Sequence, residues 1–154
     1  MGGSSNYQID NYYRKEPLYG GCFSKDQLKN KKPSGKFFII NLQDSDAGRG
    51  SHWVCVIDFL PKITVAIDSF AVHPPPEVVT FMRKSGKPCK YSTVQYQEIN
   101  SDNCGEFCLA FIDELLKQLR SGNIHPSQFD KGFTPRPSAH NEEKASRVDA
   151  RLKN

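Results

Sequence analysis

Cys104 lies in the run Asn103-Cys104-Gly105-Glu106-Phe107-Cys108, directly after a polar turn, Asn100-Ser101-Asp102-Asn103. Asp102 and Asn103 are natural N-cap residues, so a helix beginning there carries Cys104 in its first turn. Backbone N–H groups without intrahelical acceptors, and the positive end of the helix dipole, favour a thiolate at such a place. Gly105 lets another chain approach the sulfur closely. This is a way to build a cysteine nucleophile; it is equally where a small apolar Cys is buried at a helix start. Two residues upstream bear on the choice. His52 opens the run His52–Phe59 at the end of a polar, glycine-containing loop, and Asp68 stands near the end of Ile63–Phe70. In a tight antiparallel pair the start of one strand lies beside the end of the next, which brings His52 and Asp68 together. A carboxylate beside an imidazole orients it and stabilises its cation. That imidazole can deprotonate or pair with Cys104. Gln97, ahead of the turn, offers an amide NH₂ that can join the Cys104 backbone N–H in an oxyanion hole. Each has a plainer use: His52 bridging backbone groups, Asp68 capping the turn that follows it, Gln97 exposed on a strand. His73, His125 and His140 lie in Pro-rich or polar loops and read as solvent-facing.

The elements that must position these groups follow from periodicity. Lys36–Leu42, His52–Phe59 and Ile63–Phe70 are short runs of β-formers, the last two joined as a hairpin through Leu60-Pro61-Lys62. Pro74-Pro75-Pro76 stops the sheet, and Pro76 or Glu77 opens a helix through Val78, Val79, Phe81 and Met82. A last strand is expected over Lys90–Gln97. Then comes the Cys104 helix, with Phe107, Cys108, Phe111, Leu115 and Leu119 on one face. The order strand, strand, strand, helix, strand, helix predicts an α+β fold, a mixed central sheet flanked by helices. Residues 7–35 read as loops, apart from a short capped helix at Ser24–Leu28.

Composition sets the frame. A chain of 154 residues is enough for one domain with a real core. Residues 1–11 are expected as a flexible leader, 12–125 as the domain, and 126–154 as a surface-wrapping or partly disordered extension of mixed charge. The myristoylation pattern needs Ser or Thr where Asn6 stands. Five cysteines, an odd number, without a secretory signal argue for a reducing compartment and against a disulfide framework. No apolar run is long enough to span a bilayer. A net charge of +4 permits an acidic or nucleic-acid partner without demanding one.

Gly50-Ser51-His52-Trp53-Val54, Ile67-Asp68-Ser69-Phe70, Gln97 and Asn103-Cys104-Gly105-Glu106-Phe107-Cys108 together resemble the adenain-like cysteine proteases. These are the adenovirus maturation protease and its relatives in virophages, large DNA viruses and transposons, with the SUMO-specific proteases as distant kin. Gly20–Ser24 and Phe37–Leu42 extend the resemblance, which covers about residues 12–120. It implies His52 as general base, Asp68 as its orienter, Cys104 as nucleophile, Gln97 as oxyanion donor, and Trp53 packed beside the imidazole. It implies a papain-like architecture and a virion enzyme, also of the infected cell, cleaving capsid or core precursors after Gly and acting as a monomer without a required cofactor. An acidic Asp68, where the adenovirus enzyme has Glu, is the SUMO-protease choice. The adenovirus relative bonds an activating peptide through a cysteine placed like Cys89, beside the basic stretch Arg83–Lys90, so a peptide or DNA activator is a further implication. An unremarkable turn cysteine on a solvated basic face is the alternative. Two other classes remain: an isopeptidase for ubiquitin-like modifiers using the same chemistry, and a non-enzymatic zinc or nucleic-acid module. For zinc, His52-x-x-Cys55 and Cys104-x-x-x-Cys108 are poor ligand pairs, and strand alternation points Cys55 away from His52.

Overall fold

The computed structural model describes residues 5–43 and 52–152. Five strands form one sheet in chain order: β1 (Tyr19–Ser24), β2 (Phe37–Asn41), β3 (Trp53–Ile57), β4 (Thr64–Ile67) and β5 (Cys89–Tyr91). β1 runs parallel to β2 and β5 parallel to β4, whereas β2–β3 and β3–β4 are antiparallel. The fold is the α+β arrangement expected, with a mixed sheet and the Cys104 helix against it. Every residue of β2, β3 and β4 is buried. That is why these strands read as unbroken apolar runs rather than alternating ones: the sheet is covered on both faces.

One face carries α3 (Cys104–Arg120). Phe37, Ile39, Trp53, Cys55, Ile57 and Ile67 meet Phe107, Phe111, Ile112 and Leu115 of that helix. The other face carries α2 (Pro76–Arg83), whose Val78, Phe81 and Met82 meet Phe38, Ile40, Val54, Val56 and Ala66. Side chains of this size contribute about 1.5–3 kcal/mol each when fully buried, so the two helices clamp the hairpin that carries the candidate histidine and aspartate.

Four stretches depart from the sequence expectations. Residues within the expected leader form α1 (Asn6–Tyr12), opened by a Ser5–Gln8 capping box and closed down on fully buried Ile9. The Tyr12 and Tyr13 hydroxyls donate to Asp113 of α3, which pins that helix in place. β1 runs through Tyr19-Gly20-Gly21, where glycine pairs suggest a loop. Gly20 is there because a Cβ would fall 2.2 Å from the Phe38 ring. The strand expected over Lys90–Gln97 ends at Tyr91: the Ser92 N–H still bonds Ala66, and then the chain lifts away from the ladder. Finally, residues 126–152 hold α4 (Ala139–Ser146) and α5 (Asp149–Leu152), with Asn141, Ala145 and Val148 buried. The polar loop beyond Gln43, with Gly50 and Ser51 of the histidine motif, lies outside the described residues.

Candidate active site

The β3–β4 hairpin pairs Cys55 with Ile67, Val56 with Ala66 and Ile57 with Val65. Continued past Cys55–Ile67, that register sets Asp68 opposite Val54, two residues from His52. The structure closes the remaining gap: His52 Nε2 lies 2.9 Å from Asp68 Oδ2. A carboxylate only accepts, so Nε2–H is the donor and Nδ1 is left for Cys104, to which His52 also hydrogen bonds. Asp68 serves two purposes at once. Its Oδ2 holds His52, and its Oδ1 accepts the Phe70 N–H at 2.7 Å, the turn-capping role that was the alternative to an imidazole partner. The Asp68 N–H donates in turn to Ser92 Oγ at 2.9 Å. The Phe70 ring stacks at a tilt on the imidazole, centroid to centroid 5.3 Å.

Burial alone would lower the pKa of His52. The hydrogen bonds and charges of Asp68 and Cys104 outweigh it, and the imidazole is pushed up to about 9. It therefore carries its proton at neutral pH, beside the Cys104 sulfur. Trp53 separates the two cysteines of α3 by the direction of its peptide groups. Its N–H donates to Cys104 Sγ at 3.3 Å, while its carbonyl accepts from Cys108 Sγ at 3.5 Å. Burial pushes the Cys108 thiol well up, and Cys108 rests against Cys55 underneath the site. One helical turn thus divides a cysteine facing an imidazolium from one whose thiol burial pushes up.

Gln97 is fully buried with both ends of its amide engaged. Oε1 accepts from Ser69 Oγ, and Nε2 donates to Ser101 O at 2.9 Å and to Ser101 Oγ at 3.2 Å. It is neither an exposed strand residue nor, in this arrangement, turned toward an empty oxyanion position. Ser69, next to Asp68, also accepts the Tyr96 and Gln97 N–H groups on its carbonyl, so one dipeptide ties Gln97 to the aspartate. α3 starts at Asn103 as expected, but Asn103 makes no side-chain cap bond. Its amide donates instead to Glu142 Oε1 at 3.0 Å.

Cys89 opens β5 at the edge of the sheet, half-buried, with Sγ 3.7 Å from the Lys87 carbonyl; burial raises its thiol pKa. In the stretch ahead of it, Lys87 is tied to Asp58 and to the Asp58 and Leu60 carbonyls. Among the described residues, no group of three or more His, Cys, Asp or Glu is placed to hold a metal, and no helix is long and apolar enough to cross a membrane. No disulfide joins any two of the five cysteines. The sequence reading missed Ser69, Phe70, Ser92 and Ser101, small or apolar residues whose roles depend on partners brought near by folding. It also missed Glu142, for which a charged tail provides no local signal.

Neither a family model nor a curated protein matches the sequence. Solved structures do match its fold. The pS273R protease of ASFV aligns with a TM-score of 0.63 at 17% identity, over 98% of this chain and 67% of that one. The selenomethionine form of that protease gives 0.60 at 16% identity, over 98% and 68%. The central domain of the Lpg1148 protein from Legionella pneumophila gives 0.55 at 13% identity, over 99% of this chain and 96% of that one. At these identities the likeness is one of fold. It is an α+β fold shared with the ASFV protease, and it does not single out the adenovirus type.

Proposed function

We propose that this protein is a cysteine endopeptidase in which Cys104 is the nucleophile, His52 the general base and acid, and Asp68 the group that orients His52. The observation that carries the reading is the imidazole held between a buried carboxylate and a helix-mouth thiol, with its pKa raised to about 9. In the reaction the Cys104 sulfur attacks the peptide carbonyl carbon, and the carbonyl electron pair moves onto oxygen. The C–N bond then breaks as the proton on His52 passes to the leaving amine, leaving a thioester on Cys104. Water, giving a proton to His52, attacks the thioester and releases the acid.

The oxyanion is met by the N-terminal turn of α3, whose N–H dipoles point toward it. Gln97 is the second donor. Its longer bond, 3.2 Å to Ser101 Oγ, is the one exchanged when the substrate oxygen arrives, while Ser101 O keeps the amide in place. The substrate class we assign is protein, cut after Gly, with structural precursors of a virus as the natural targets. The family resemblance of the His52, Asp68 and Cys104 motifs supports this choice, as does the fold shared with a viral protease.

The test is cleavage of a fluorogenic Gly-Gly amide and of candidate precursor proteins, with fragments identified by mass spectrometry. Wild-type protein should cut after Gly and Cys104→Ala should not. Full activity in Cys104→Ala would end this reading, and a preference for the tail of a ubiquitin-like modifier would assign the isopeptidase instead.

A further inference from the structure

Three consecutive features of the tail reach the loop that leads to Cys104. Tyr96 donates its hydroxyl to Asp130 at 2.5 Å. Asn141, with none of its surface exposed, donates to the carbonyl of Tyr96 at 3.2 Å and also ties Thr134 and Arg136 of its own approach. Glu142 makes three bonds to this loop. Its Oε2 accepts the Glu98 N–H at 2.8 Å, and its Oε1 accepts both the Ser101 hydroxyl and the Asn103 amide.

The donor inventory fixes every direction in this network. A hydroxyl has one proton, and a carboxylate can only accept, so the Ser101 proton points at Glu142. The lone pairs of Ser101 Oγ then face the other way, where they receive Gln97 Nε2 at 3.2 Å and the Asn103 N–H at 3.1 Å. The Asn103 side chain, which would ordinarily turn back to cap its own helix, is held outward on the same carboxylate.

We infer that Glu142 is a positioning residue for the oxyanion side of the active site. It holds Ser101, whose carbonyl keeps the Gln97 amide in place while its bond to Ser101 Oγ is exchanged for the substrate oxygen, and it holds Asn103 off the mouth of α3 so that the first-turn N–H groups face the substrate. Without it the Asn103 side chain is free to swing in as an ordinary N-cap, competing with the substrate oxygen for the same donors. The kinetic half of this inference rests on the peptidase reading; the structural half does not.

The experiment compares wild type, Glu142→Ala and Glu142→Gln, with Glu143→Gln as control because Glu143 pairs with Arg147 on the exposed face of α4. Two readouts are kinetic: kcat and KM on a Gly-Gly fluorogenic amide, and the rate at which iodoacetamide alkylates Cys104. Two are structural: amide hydrogen exchange across residues 98–103 and thermal unfolding. Loss of hydrogen bonds to a charged acceptor predicts a fall in kcat of about tenfold or more in Glu142→Ala, with KM within about twofold. Alkylation, which needs the thiol and His52 but no oxyanion hole, should stay within about twofold. Exchange should quicken in the 98–103 loop while α3 and the sheet stay protected; Glu142→Gln should fall between, and Glu143→Gln should match wild type. An unchanged kcat in a folded Glu142→Ala protein overturns the inference. So does a parallel loss of turnover, alkylation and global protection, which would make Glu142 a support of the fold alone. If wild-type protein cleaves no peptide, the peptidase reading fails, and loop exchange still decides whether Glu142 holds the loop.

Discussion

On one side of Cys104, His52 and Asp68 stand at the ends of neighbouring strands whose every residue is buried. On the other, Gln97, Ser101 and Asn103 sit on an irregular loop held by side-chain hydrogen bonds, one of them to a residue 41 positions away. The first side is placed by a backbone ladder, with a register that a one-residue slip would turn inside out. The second has no ladder. It is placed by Ser69 from beneath and by Glu142 from above, each through three directional bonds. On the proposed peptidase reading, the site joins a rigid thiol-activating half to an adjustable oxyanion half, and the two halves should fail differently when broken.

The largest effect belongs to the atoms the halves share. Cys104→Ala should lose about a millionfold in turnover or fall to background, and His52→Ala nearly as much, because such residues act as a unit. Alkylation should single out Cys104 in wild type, over Cys22 and Cys108, whose thiols burial pushes up. Rapid labelling of any other cysteine, or residual cleavage in Cys104→Ala, would break the assignment.

Asp68→Asn attacks the rigid half. It keeps the shape and removes the charge that sustains the imidazolium, so turnover should drop by up to about ten-thousandfold with KM little changed. The sign of its pH effect follows from the raised His52 value. In wild type the alkaline limb of kcat/KM should lie near pH 9, and in Asp68→Asn it should move down toward the ordinary histidine value of 6.5. The same shift governs stability. The contribution of protonated His52 is fully present below about pH 6.5 and is lost as pH rises through about 9, a loss that His52→Ala should not show on thermal unfolding. A pH profile in Asp68→Asn identical to wild type would leave Asp68 with only its Phe70 turn.

Gln97→Ala attacks the adjustable half and should cost on the order of a hundredfold to a thousandfold in turnover, while alkylation of Cys104 stays near the wild-type rate. If both fall together, the halves are not separable and Gln97 is a packing residue between Ser69 and Ser101. The smallest effect is expected at Cys89, on the far edge strand. Cys89→Ser should match wild type, with or without DNA at low and moderate salt; DNA stimulation lost in that variant would instead make β5 a regulatory edge.

Much of the rigid half could be read from residue order because local rules place it. The unbroken apolar runs predict buried strands, Leu60-Pro61-Lys62 predicts the hairpin, and the hairpin register brings Asp68 within two residues of His52. Asp102-Asn103 before an amphipathic run predicts the start of α3 at Cys104. The Ser5–Gln8 capping box went unread, and it opens a helix in what the composition suggests is a leader. β1 was not legible, since its glycines answer to the Phe38 ring, a partner in another strand. Gln97 was visible as a residue but not as a geometry. Its environment is Ser69 and Ser101, and nothing in a run of β-formers says that the strand stops at Tyr91.

By itself the sequence determined strands β2, β3 and β4, the helix α3 that covers them, and the three side chains that meet at their edge, because periodicity, capping and hairpin register act over a few residues. Only the tertiary structure decided the rest. It turned both amide ends of Gln97 inward, set the Phe70 ring on the imidazole, and gave the two cysteines of α3 opposite ends of the same Trp53 backbone. It also brought Glu142 over the catalytic loop. The physical reason is the reach of the forces involved. Backbone ladders and helical faces are written in neighbouring residues, whereas a buried hydrogen bond needs only a partner at the right distance and angle, and the chain can supply that partner from anywhere.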